Sequence, residues 1–150
     1  MRWTAALLLV LAGCEPVADD VGTTIDLGRR PDITGTYTVA VLDRSGCPDH
    51  PAARLESLED GLVVSGPADD LTFTFGSIVL AGEVDTAFSF EATGTTTVGD
   101  DELDIGIEGL AFIGDESWNL DGDLLVDRID STAQTVTCTL TALLEAEQTL

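Results

Sequence analysis

From Ile33 onward, apolar residues recur at every second position in one stretch after another. In the first, Ile33, Gly35, Tyr37, Val39 and Val41 share one side, while Thr34, Thr36, Thr38 and Ala40 share the other. Successive side chains of a strand point to opposite faces, so this alternation puts the apolar set on one buried face. The same period marks Leu71, Phe73 and Phe75, then Phe88, Phe90 and Ala92, then Leu103, Ile105 and Ile107. It returns at Trp118, Leu120, Leu124 and Val126, set against Asn119, Asp121, Asp123 and Asp127. The last set is Val136, Cys138, Leu140 and Ala142, alternating with threonines. Gly76-Ser77 signals a turn into the short apolar run Ile78-Val79-Leu80. Asp60-Gly61, between two apolar stretches of residues 54–64, predicts a hairpin. Past Ile107 the apolar phase moves to Leu110 and Phe112, so a bulge is expected at Gly109. Residues 143–148 are expected to form one helical turn or a frayed end.

These stretches make about eight short strands with frequent turn signals, the pattern of an antiparallel barrel or sandwich. Short links favour pairing between sequence neighbours. The expected fold is therefore all-β: an antiparallel meander of about eight strands, closed or nearly closed into a barrel, with a β-sandwich as the alternative.

The N-terminus follows another pattern. Met1-Arg2 precedes an apolar run, Trp3 to Val10, and then Leu11-Ala12-Gly13-Cys14. The run is too short to span a bilayer, which needs about 20 residues, and fits the core of a signal peptide. The stretch resembles a bacterial lipoprotein signal peptide, with Leu11-Ala12-Gly13-Cys14 as its lipobox. The resemblance implies a diacylglyceryl thioether on Cys14, cleavage before it, and further acylation such as palmitate. It also implies a chain anchored in the cell envelope, facing periplasm or exterior, with the choice of membrane left open by Glu15. Two or three acyl chains anchor stably where one is marginal. The expected layout is a signal peptide over 1–13, a lipidated Cys and flexible acidic tether over 14–32, and the β domain over 33–150. As a flexible coil the tether would span roughly 20–25 Å.

Charge narrows the functions. The chain carries 28 Asp+Glu against six basic residues, all Arg, for a net charge of −22. Such a surface repels phosphate backbones and anionic headgroups, which argues against nucleic-acid binding. The 44% hydrophobic content and the alternation argue against disorder. With Cys14 committed to lipid, Cys47 and Cys138 remain as an even pair in an exported chain, and a disulfide between them is expected.

Few residues suggest chemistry. His50, the single His, lies in Cys47-Pro48-Asp49-His50-Pro51, where Cys-x-x-His spacing supplies only half of a metal site. It is read as an exposed loop residue. Asp121, Asp123 and Asp127, and separately Asp100, Asp101, Glu102 and Asp104, are weak calcium candidates that lack the EF-hand spacing. A solvated acidic face is the simpler reading. With one His and no Lys, most acid–base and Schiff-base catalysis lacks its usual groups. Neither a metal nor a cofactor is expected, and no catalytic residue is assigned.

Ile33-Thr34-Gly35-Thr36-Tyr37 resembles the first strand of lipocalin-like and avidin-like barrels, which implies an interior able to take a small apolar ligand. The leading reading is a non-catalytic, lipid-anchored binding or interaction module of the envelope. A small lipocalin-like carrier comes second and an enzyme third. The expected partners are the membrane through the anchor and an envelope protein or small apolar ligand. Whether the aromatic residues fill the barrel separates the first two readings.

Overall fold

The structure, a computed structural model, describes residues 28–46, 49–50 and 56–150. The signal peptide, Cys14, most of the tether and Cys47 lie outside the described residues. Eight strands form one closed antiparallel barrel. They are β1 (Gly35–Ser45), β2 (Leu62–Ser65), β3 (Leu71–Phe75), β4 (Ile78–Val84), β5 (Ser89–Val98), β6 (Asp101–Ile113), β7 (Trp118–Asp130) and β8 (Thr135–Gln148). Each strand pairs with its sequence neighbours, and β8 closes the barrel on β1. Closure removes the sheet edges that would otherwise be left unpaired.

The barrel has two distinct ends. Residues 28–34, the turns at 66–70, 85–88 and 114–117, and the C-terminus gather at one, called here the near end. The end of β1 and the turns at 76–77, 99–100 and 131–134 lie at the far end. A short 3-10 turn, Glu56–Leu58, belongs to the long β1–β2 connection and buries Leu58.

Alternation sends the apolar set inward. Tyr37, Leu62, Phe73, Phe75, Leu80, Phe90, Leu103, Ile105 and Leu120 are each no more than 2% exposed. An eight-stranded barrel is only just wide enough for such side chains to fill it. Phe73 and Phe90 stack with ring centroids 5.9 Å apart. Phe90, Gly109, Gly122 and Leu144 form one rung across β5, β6, β7 and β8. The Phe90 ring lies over the glycines: a Cβ on Gly122 would sit 3.1 Å from its Cζ.

That rung corrects the expected bulge at Gly109. β6 pairs with β5 and β7 in unbroken register through Gly109. Gly109 keeps the inward phase between Ile107 and Ala111, and the Phe90 ring supplies the bulk that a glycine lacks. Leu110 and Phe112 face outward instead, 58% and 44% exposed. The register breaks elsewhere. On β1 it shifts between Leu42 and Ser45, where Asp43 has a φ of 47°. On β8 it shifts beside Thr137, which turns Val136 out of the apolar face to 54% exposure.

Two further expectations change. Asp60-Gly61 leads from the 3-10 turn into β2 and is not a hairpin between strands. Residues 143–148 are neither helix nor frayed end but continue β8. Leu144 and Ala146 extend the period of Leu140 and Ala142, and all four are buried. β8 pairs on both sides here, Ala146 opposite Val39 and Leu120, so closure of the barrel fixes the tail as strand.

Tyr37 ties the near end together. Its phenol donates to the Ile33 carbonyl at 2.6 Å, and Ile33 is itself buried. Burial raises the phenol pKa well above its ordinary value, because the phenolate would lose its hydration. A raised folded pKa means this contribution is fully present below the unfolded value, about 10, and is lost as pH rises beyond it. Tyr37 is the single Tyr, so absorbance at 295 nm reads it alone. At pH 11 the folded protein is expected to show little phenolate, which appears only on unfolding. Titration of the folded protein near pH 10 would contradict this burial.

Candidate functional site

The near end carries an open groove of about 1030 Å³, lined among others by Arg29, Pro31, Ala68, Phe88, Ile113 and Trp118. Its first wall is the segment 28–34, which crosses the barrel mouth from β1 toward β4. Arg30 Nη1 donates to Glu83 Oε2 at 2.8 Å and to the Val84 carbonyl at 2.9 Å. The ion pair is partly exposed on both sides, so it positions the segment more than it stabilises the fold. Asp32 then accepts from the Thr34 hydroxyl at 2.7 Å and the Thr34 N–H at 3.1 Å. These two bonds, the hydroxyl first, hold the Asp32 carboxyl below its ordinary pKa.

The second wall is the β4–β5 turn. Asp85 Oδ1 accepts from the N–H groups of Ala87 and Ser89 at 2.8 and 2.9 Å. Between them Phe88 adopts a φ of 67°, a left-handed backbone that is uncommon for a bulky side chain. The Phe88 carbonyl accepts from the Ala111 N–H at 2.8 Å, which locks the turn onto β6. The ring is thereby held against Trp118, centroids 6.0 Å apart at 34°.

The third wall is the start of β7 at Trp118, and Gln148 links it to the first. Its Oε1 accepts from the Trp118 N–H at 3.1 Å, and its Nε2 donates to the Thr34 carbonyl at 2.9 Å. The end of β8 therefore sets both the start of β7 and the segment across the mouth. The groove combines an aromatic pair and small apolar residues with the polar groups of Arg29, Asp32 and Asp69. That mixture suits a small amphiphile in contact with the rings.

The acidic calcium candidates lie elsewhere: Asp121, Asp123, Asp127 and Asp104 on the outer face of the barrel, and Asp100 and Asp101 at its far end. Asp121 stands opposite Glu145, Asp123 opposite Glu108, and Asp127 opposite Asp104. Asp127 also accepts from the Thr139 hydroxyl at 2.5 Å. Asp101 is held by Arg128 at 2.6 Å. Strand geometry spreads the outward carboxylates along a wall, and no group of three among the described residues could hold a metal ion.

His50 departs from its expected exposure. It is 2% exposed, in the β1–β2 connection. Cys138 lies half-buried on β8, opposite Arg128. Its expected partner, Cys47, and the lipidation residue, Cys14, are outside the described residues.

Phe88 and Trp118 were legible only as apolar strand positions, and nothing local marked them as a rim pair. Against family models, curated proteins and solved structures alike, the chain has no match.

Proposed function

We propose that this protein is a non-catalytic, lipid-anchored lipoprotein of the cell envelope that acts as an interaction module through its outer surface. The observation that carries the reading is the filled barrel. Tyr37, Phe73, Phe75 and Phe90 occupy the interior, where a lipocalin-like carrier would hold its ligand. What is left for recognition is the outer wall and the near-end rim. Residue 28 reaches the barrel at that rim, so an anchor at Cys14 would suspend the domain from its near end.

The groove beside Phe88 and Trp118 favours a second reading, a carrier that holds a small amphiphile at the mouth rather than inside. Its strained, hydrogen-bonded turn is the kind of feature that clusters at binding sites.

A Cys47–Cys138 disulfide belongs to the same proposal. Gly46, the residue before Cys47, packs on β8: a Cβ there would lie 2.8 Å from the Thr139 carbonyl oxygen and 2.9 Å from the Leu140 Cα. One further chain step of about 3.8 Å is compatible with the Cα separation of about 4.4–6.8 Å that a disulfide needs. Cys138 is not a free thiol.

Metabolic labelling with palmitate tests the anchor. The wild-type protein is expected to take up label and fractionate with membranes. Cys14→Ser is expected to lose the label and the membrane association. Mass spectrometry that finds an unmodified Cys14 on the mature wild-type protein would overturn the reading.

A further inference from the structure

Two consecutive outward rungs cross the wall formed by β6, β7, β8 and β1. Ala40, Glu145, Asp121 and Leu110 make one; Thr38, Glu147, Asn119 and Phe112 make the next. All of these but Leu110 line a shallow hollow of about 540 Å³. Several of these side chains do nothing for the stability of the barrel. Leu110 and Phe112 spend apolar surface on solvent, and Asp121 directly faces Glu145. Like charges directly opposite each other weaken a strand pair. The three ion pairs among the described residues, at Arg30, Arg44 and Arg128, use Glu83, Glu59 and Asp101 and leave this wall uncompensated. The chain has no Lys to offer.

An exposed aromatic ring beside facing carboxylates is complementary to one side chain in particular. A guanidinium is planar, donates two parallel hydrogen bonds to a carboxylate, and stacks on an aromatic face. An ammonium gives up the planar stacking and the two-pronged geometry. We propose that this wall docks a protein partner through arginine side chains, with one guanidinium seated between Asp121 and Glu145 and stacked on Phe112. The proposal rests on the interaction-module reading and names its surface and the chemistry of its partner.

The test uses the full lipidated chain in detergent and a synthetic peptide of alternating arginine and serine, with the lysine–serine peptide and calcium chloride as comparisons. The arginine peptide is expected to bind several-fold tighter than the lysine peptide. Phe112→Ala is expected to remove most of that preference. Asp121→Asn with Glu145→Gln is expected to weaken arginine-peptide binding by about tenfold or more, as loss of a charged pair does. The same double change is expected to raise the melting temperature, because it relieves a like-charge pair. Asp104→Asn with Asp127→Asn removes the same charge further along the wall and is expected to change binding by less than about twofold, beyond the close range of the site. Equal losses in the two double variants, or no effect of Phe112→Ala, would reduce the binding to general charge attraction and overturn the proposal. Calcium displacing the peptide at micromolar concentration would overturn it in favour of a metal site. Any of these failures leaves the anchored-module reading standing, since that reading is tested separately, by the Cys14 measurement and by the filling of the barrel interior.

Discussion

Replacing Cys47 and Cys138 together with serine is expected to lower the melting temperature by roughly 10–15 °C while the strand signature in circular dichroism survives. The proposed bridge would join the end of β1 to β8 and close a loop of about 90 residues. In the chain-entropy model such a loop is worth roughly 4–5 kcal/mol, gained by restricting the unfolded chain. The fold itself should persist, because β1 and β8 are already joined from Tyr37 opposite Gln148 to Leu42 opposite Leu143. The comparison is a thermal melt of both proteins under non-reducing conditions. A difference of only a degree or two would count against the bridge. So would two reactive thiols in Cys14→Ser protein unfolded without reductant.

Phe90→Ala is expected to cost about 3–5 kcal/mol, in the upper range for a single side chain. Phe90 stacks on Phe73 and covers the paired glycines Gly109 and Gly122. Backbone closeness prevents the wall from collapsing into the space: a Cβ at Gly109 would already lie 2.1 Å from the Asp121 carbonyl oxygen. The variant should therefore keep a cavity and take up an apolar fluorescent dye with a gain in emission. The wild-type protein should give no such gain from its interior. Strong dye emission from the folded wild type, unchanged by Phe90→Ala, would refute the filled barrel and restore the carrier with an internal ligand.

The barrel was legible because its strands are long enough for a period of two to repeat, as at Leu103, Ile105 and Ile107. Where that period met glycine, it misled. Gly109 contributes nothing to a hydropathy pattern, so Leu110 and Phe112 took its place as the apparent core. The ring that fills the gap comes from Phe90, nineteen residues earlier in the chain and adjacent only through the register of β5 and β6. Residues 143–148 were misread for a related reason. Alanine and leucine favour helix locally, and only pairing with β1 and β7 decides for strand. The groove was illegible because it belongs to no single stretch. Phe88, Trp118, Gln148 and Thr34 meet only after closure. The acidic residues were visible at once, but which carboxylates face each other depends on register. His50 looked exposed because its neighbours are turn formers, and a pattern of turns does not reveal that a side chain within it is buried.

The chain reaches the barrel and leaves it at the same rim. Thr149 donates its N–H to the Thr36 carbonyl, so the last residues lie beside the first strand. A pull on residue 28 against residue 150 would load the β1–β8 seam as a zipper. Antiparallel strands hold each other by bonds that run across the strands, and a load applied at one end breaks them in turn rather than together. Such a seam resists poorly compared with strands drawn past one another. Opening would start at the near-end rim, the side of the proposed anchor, and travel toward the far end, where the proposed Cys47–Cys138 bridge would stop it. The barrel would then part along one seam under tension and close again when the tension is released.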